Sequence, residues 1–245
     1  MGQAKTIVLR PITRSEAEAV IKREHYSGSV TRNSQLHIGV FYGGRLEGAM
    51  QFGPSLDKRK IIGLVSGTKW DGFLELNRLA FSDAMPRNSE SRALAIAMRI
   101  LRKNRPDIEW IISFADATQC GDGAIYRASG FVLTGIKKST NLARLKNGDI
   151  IHKMTVETSP TLRRDQLDGK SYYDVTGGRL SWRRFVELVG AEILEGYQLR
   201  YIYFLNEQAK KRLTVEPIPF ARIREIGATM YKGKGAQEAQ RLCGC

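Results

Sequence analysis

Apolar and polar positions alternate between short buried runs and helical stripes, and the alternation predicts an α/β protein. Thr6 to Leu9 reads as a strand, and Thr13-Arg-Ser-Glu16 has the spacing of a capping box that opens a helix with Ala17, Val20 and Ile21 on one side. Leu36 to Tyr42 and Leu46 to Phe52 flank Gly43-Gly44, a hairpin signal. Phe73 to Phe81, FLELNRLAF, is the next strand, and the polar pair Asn77-Arg78 breaks its apolar run. A helix runs from Asn88 to about Lys103, and Trp110 to Phe114 then fills a buried strand that stops at Asp116 in a polar, Gly-containing loop. A carboxylate therefore sits where a strand ends.

Beyond it, Asp122 is the expected N-cap of a short helix with Ala124, Ile125 and Ala128 on its apolar side and Tyr126 along it. Gly130 stops that helix and Phe131 opens another strand. Leu142 to Lys146 and Ile150 to Val156 flank Asn147-Gly148, a second hairpin. Residues 157 to 180 read as a polar, Gly-rich crossover, Ser181 opens a helix with Phe185, Leu188, Val189 and Ile193 on one face, and Arg200 to Leu205 is a buried strand. The expected division is a core over 1–157 and a C-terminal extension over 158–245 packed on it.

The formal net charge of +14 points to a polyanion, either nucleic acid or a phosphorylated donor. The excess is spread over all three thirds of the chain, so the folded surface itself is basic and attracts phosphates without reading sequence. Three cysteines, of which Cys243 and Cys245 stand in the last three positions, make neither a disulfide framework nor a four-ligand zinc site. With no apolar run near the length of a membrane span and no signal-peptide profile, a cytoplasmic protein is expected.

Individual side chains narrow the chemistry. His25 follows Ile21 by four residues on the inward side of the first helix, and Tyr26 closes that helix before Ser27-Gly28. A packed core histidine and the edge of a site are equally good readings of it. His37 lies within a strand and reads as structural, and Lys58-Arg59-Lys60 as a solvated charge run. Arg78 is too costly to bury unpaired, so it either snorkels to an edge or faces a cleft where it meets an anion.

A strand, a loop, a short helix carrying GxxYxxxGF and a further strand resemble the acceptor half of the GNAT acyl-CoA transferases. HYSGSV, ELNRLAF, RNSESRA, SFADATQCGDGAIYRASGF, RYIYFL and MYKG together resemble, over nearly the whole chain, the phage Mom family of DNA-modification proteins. The resemblance implies a mixed, mostly antiparallel GNAT-like α/β (α+β) sheet flanked by helices. It implies conversion of the N6 amine of DNA adenine to N6-carbamoylmethyladenine in the host cytoplasm, which protects phage DNA from restriction, with double-stranded DNA as partner. Carried over residue by residue, Asp116, Tyr126, His25 and Tyr26 are the catalytic candidates and Arg78 and Ser91 the donor-binding ones. The usual Gly-rich pyrophosphate signature is absent, and Arg87, Ser89, Ser91 and Arg92 occupy its place at a helix start. A conventional N-acetyltransferase of the same fold and a non-catalytic DNA-binding protein are the alternatives. Aligned polar groups at strand ends argue against the second.

The product leaves two acyl donors open. With acetyl-CoA, the methyl carbon must be activated and a nitrogen supplied. That calls for redox chemistry at Fe(II), with His25 and Asp116 as ligands, one histidine short of the usual facial triad. With glycyl-tRNA, ordinary acyl transfer to the adenine amine followed by attack of the glycine amine on the ring carbon gives the same product without a metal.

Overall fold

The computed structural model describes residues 3–118 and 121–228. The MYKG stretch, Cys243 and Cys245 lie outside the described residues. In chain order the elements are β1 (Val8–Pro11), α1 (Arg14–Glu24), β2 (Leu36–Tyr42), β3 (Arg45–Gly53), α2 (Lys58–Ile61), β4 (Phe73–Phe81), α3 (Ser89–Asn104), β5 (Trp110–Asp116), α4 (Ala124–Ala128), β6 (Val132–Arg144), β7 (Ile150–His152), α5 (Lys153–Glu157), α6 (Tyr172–Thr176), α7 (Trp182–Val189), β8 (Glu192–Phe204), α8 (Glu207–Lys210) and α9 (Ala221–Glu225). The strands form one eight-stranded sheet in the order β1-β2-β3-β4-β5-β8-β6-β7. Its pairs are antiparallel except β4 with β5.

Local chemistry forms several of these elements as expected. The Thr13 side chain accepts the Glu16 N–H and the Glu16 carboxylate accepts the Thr13 N–H, completing the capping box of α1. Gly43 and Gly44 take φ of 55° and 81°, the paired left-handed geometry of a two-residue hairpin that matches strand twist, and β2 and β3 pair from Tyr42↔Arg45.

The two faces of the sheet carry different helices. Ala49 and Ala80 pack with Ala17, Val20 and Ile21 of α1, whereas Met50, Phe52, Leu74 and Leu76 pack with Leu94, Ala97, Met98 and Leu101 of α3. A third cluster, from the end of β6 with Ile151, Val156, Tyr172, Trp182 and Phe185, makes a small lobe of α5, α6 and α7.

Several boundaries differ from the sequence expectation. Ile193 belongs to β8, because Gly190 at φ 61° ends α7 in the left-handed conformation. Residues 150–156 are not one strand but β7 followed at once by α5, whose first turn is capped by the His152 side chain. Leu142 to Lys146 is not a separate strand, since β6 runs unbroken from Val132. Asp122 is not the N-cap of α4, a position held by Gly123; its carboxylate pairs with Arg127 at 2.8 Å. The strand from the last third of the chain, β8, lies between β5 and β6, so the segments before and after residue 157 share one sheet.

Where β4 and β5 meet, the Phe73 and Trp110 rings stack at 4.2 Å, and Trp110 Nε1 donates to Thr68 Oγ1 at 3.0 Å. Trp110→Ala is therefore expected to lower stability by about 3–5 kcal/mol. Urea unfolding checks it, and a loss under about 1 kcal/mol would mean that this junction repacks freely.

Candidate active site

Strands β4 and β5 pair only over Phe73↔Trp110, Leu74↔Ile111 and Glu75↔Ile112. Beyond Ile112, β5 runs along β8 alone, from Ser113↔Tyr201 to Asp116↔Gln198. A wedge opens between the two strands, with Arg78 on one wall and Asp116 at the end of the other. Ser113 Oγ sits at its neck, 3.4 Å from the Leu76 carbonyl and 2.9 Å from the Tyr126 hydroxyl. Tyr126 reaches this point from the core: it is buried and its ring lies 5.0 Å from Tyr201 and 5.2 Å from Phe131.

A bulge aims the first wall. Gln51 faces Arg78 and Phe52 faces Leu76, so Asn77 is an extra residue in β4. Period-two alternation that buries Leu74 and Leu76 against α3 would bury position 78 there too; the extra residue flips the parity and turns Arg78 to the α1 face. There Arg78 Nε donates to the Ser29 carbonyl at 2.9 Å and Nη1 to the Asn77 carbonyl at 2.7 Å. Asn77 Oδ1 accepts from Ser34 Oγ at 3.0 Å, which ties the bulge to the loop after α1. Burial lowers the Arg78 pKa, opposed by Tyr26 and Glu75. Glu75, on the same face, is pushed above the usual carboxylate range by burial, against hydrogen bonds from Ser55 and Asn77 and the charge of Arg78.

His25 is the C-cap of α1 and Tyr26 follows it, their rings 4.3 Å apart, with Tyr26 half exposed. The Ser27 N–H donates to His25 Nδ1 at 3.2 Å, which assigns the ring proton to Nε2. Burial, reinforced by the Arg78 charge, holds His25 at about 3.

Asp116 Oδ1 accepts the Thr118 N–H at 2.9 Å. Gly196 lets β8 pass beneath this turn, since a Cβ there would lie 1.9 Å from Thr118 Oγ1. The neighbouring site residue that sequence reasoning missed is His152. Its Nδ1 accepts the Met154 N–H at 3.1 Å, again leaving the proton on Nε2. Burial lowers its pKa, Asp116 raises it and Arg78 lowers it, so the ring stands in the field of both walls. A register shift in β6 between Ser139 and Leu142 bends the far end of the sheet that carries β7. No local pattern marks such a residue.

Of the expected donor residues, Arg87, Ser89, Ser91 and Arg92 lie at the start of α3, whereas Arg78 stands apart from them in β4, turned to the α1 face. Asn88 caps it in the left-handed conformation, φ 68°, with no side-chain hydrogen bond. Ser91 Oγ turns back to the Asn88 carbonyl at 3.2 Å, Arg87 is exposed, and Ser89 Oγ and Arg92 Nε are buried without a partner. Orphaned donors at an uncapped helix start fit the phosphate of an acyl carrier. Among the described residues no three His, Cys, Asp or Glu side chains gather closely enough to hold a metal ion.

The profile of the Mom protein family matches residues 6–222. The chain belongs to that family. A methylcarbamoylase, the mom protein of Escherichia phage Mu, is 35% identical over 215 residues, which cover 83% of this chain and 79% of that relative. Among solved structures, a Bacillus subtilis acetyltransferase in complex with CoA is similar at 9% identity and a TM-score of 0.42, over 81% of this chain and 97% of the other. The ribosomal-protein-S18-alanine N-acetyltransferase of Escherichia coli is similar at 11% identity and the same TM-score of 0.42, over 82% and 95%.

For this Mom-family site the sign of one pH effect follows directly. His25 stays neutral in the folded protein down to about 3, against an ordinary value of 6.5. Its contribution to stability is therefore whole above the ordinary value and is lost as pH falls towards the folded one. His25→Asn should flatten the decline of unfolding free energy on acidification through that window, measured by urea titration at successive pH values. A decline as steep as in the unsubstituted protein would mean that the ring is solvated.

Proposed function

We propose that this protein is a DNA-modification transferase that converts the N6 amine of adenine in duplex DNA to N6-carbamoylmethyladenine. The observation that supports the reading is that, in a Mom-family chain, Arg78 lies in electrostatic reach of His25 and Tyr26 on one wall of the wedge, and His152 lies in reach of both Arg78 and Asp116. The relative from phage Mu is named a methylcarbamoylase, which supports the class of group transferred. The basic surface supports the polyanionic acceptor.

In this reading Asp116 Oδ2, the carboxylate oxygen not engaged by Thr118, accepts a proton from the adenine amine as the new bond forms. Arg78, held on backbone carbonyls with no carboxylate pairing it directly among the described residues, stabilises the oxyanion of acyl transfer. The neutral His25 and His152 rings present Nε2–H as donors rather than bases. Tyr126, hydrogen-bonded to Ser113 at the neck, orients or protonates the leaving group. Ser89, Ser91 and Arg92 take the phosphate of the donor. A stacked base inside a duplex cannot present its amine to a carboxylate on the wall of a wedge, so the adenine is extruded, with Tyr26 as its stacking surface.

Asp116→Asn is expected to keep the fold and DNA affinity and to lower modification by about 100-fold or more. A normal rate by mass spectrometry of released nucleosides would return Asp116 to a loop-stabilising role. The donor is decided by isotope labelling. If glycyl-tRNA is used, glycine labelled at nitrogen delivers the label to the amine that joins the methylene to the purine, and the original adenine nitrogen ends in the carboxamide. If acetyl-CoA is used, the original nitrogen stays on the ring and the acetyl methyl becomes the methylene. No labelled adduct from either donor would defeat the proposal.

A further inference from the structure

The turn after β3 carries an apolar side chain that no packing explains. Leu56 is 71% exposed, more than any other large hydrophobic among the described residues. A lone exposed leucine is ordinary, but this one stands on a support that is fixed at both ends. On one side, Asn33 Nδ2 donates to the Pro54 carbonyl, and Gly53 packs so closely on Asn33 that a Cβ would lie 2.4 Å from its carbonyl oxygen. Ser55 is buried and hydrogen-bonded to Glu75, the neighbour of Arg78 on the site face. On the other side, Lys58 is held by Asp71 at 2.9 Å and lies over the Trp70 ring at 4.6 Å. Between these anchors only Leu56 and Asp57 project, and Asp57 is neutralised by Lys60 at 2.7 Å. Arg59, on α2 just after the tip, and Lys69, next to Trp70 in the chain, add exposed positive charge and make no ion pair among the described residues.

The combination is a rigid apolar point on a basic rim, next to the wall that bears Arg78. We propose that Leu56 enters the base stack of duplex DNA and fills the gap left by the extruded adenine, while Arg59 and Lys69 hold the flanking phosphates. The inference rests on the reading of the site as one that takes an extruded base. Apolar side chains inserted at a base step recover part of the lost stacking, and a fixed support is required for a single leucine to do so. A floppy tip would lose in ordering what it gained in contact.

The test uses the full chain and duplexes whose adenines are replaced one at a time by 2-aminopurine, which brightens on unstacking. Each duplex is made with thymine or with an abasic site opposite the analogue. The unsubstituted protein should brighten a target position in both. Leu56→Ser should lose about tenfold in the population extruded from the paired duplex. It should keep the signal opposite the abasic site, where the stack is already open, and Leu56→Met should restore most of the loss. Equal brightening of the paired duplex by Leu56→Ser overturns the wedge, as does an equal loss on both duplexes, which would mark a docking or folding defect. If the unsubstituted protein brightens neither duplex, base extrusion itself fails and the wedge falls with it.

Discussion

The structure depends on a single extra residue in β4. The alternation that buries Leu74 and Leu76 against α3 would carry an unbulged position 78 into the same core, where a guanidinium has no partner. Inserting Asn77 reverses the parity: Leu79, partner of Met50, still packs into the α3 core, while Arg78 and Ala80 face α1. The bulge comes two residues beyond the last β4–β5 pair, so one strand both leaves its parallel neighbour and re-aims its charge within a few residues. A site is made there because the sheet must divide there. Ser113 and Tyr126 fill the neck with a hydrogen bond where ladder bonds stop.

That placement fixes the electrostatics of everything nearby. Arg78 donates from Nε and Nη1 to the carbonyls of Ser29 and Asn77, and among the described residues no carboxylate pairs with it directly to cancel its charge. The uncancelled charge helps keep His25 and His152 neutral, while Asp116 pulls His152 the other way. A backbone N–H donates to Nδ1 of each ring, so both present a proton from Nε2 and Asp116 remains the acceptor. One cation, one carboxylate oxygen not engaged by Thr118 and two neutral donors make the division of labour that the proposed transfer calls for.

Features carried by neighbouring residues were legible in the sequence. The capping box of α1, the Gly43-Gly44 hairpin, the start of α3, and Arg78 as a charge breaking an apolar strand all follow from local spacing. So do the places of Asp116 at a strand end and of Tyr126 on the following short helix. Features set by distant pairing were not. His152 reads as part of a strand because its place beside the wedge depends on bending in β6, and nothing local singles out Glu75, whose partner Ser55 lies across a loop. Ile193 has a helical spacing from Phe185 and Val189 that only the left-handed Gly190 cancels. The insertion of β8 between β5 and β6 is likewise a matter of long-range register, invisible to any window of sequence.

Placing β8 inside the sheet, between β5 and β6, links the site to the lobe. β8 touches β5 through Asp116↔Gln198 and β6 through Leu142↔Leu194, and the same residue Leu142 faces His152 of β7. Beside Gln198, Gly196 gives the Thr118 turn the room it needs to hold the Asp116 carboxylate. Asp116, paired with β8, and His152, paired with the β6 residue that itself pairs with β8, are therefore held in one continuous ladder. His152 joins the sheet to the lobe built on Tyr172, Trp182 and Phe185, because it is at once the last residue of β7 and the cap of α5. The lobe is thus mechanically part of the site wall, and its packed aromatic core is what keeps that wall from fraying into solvent.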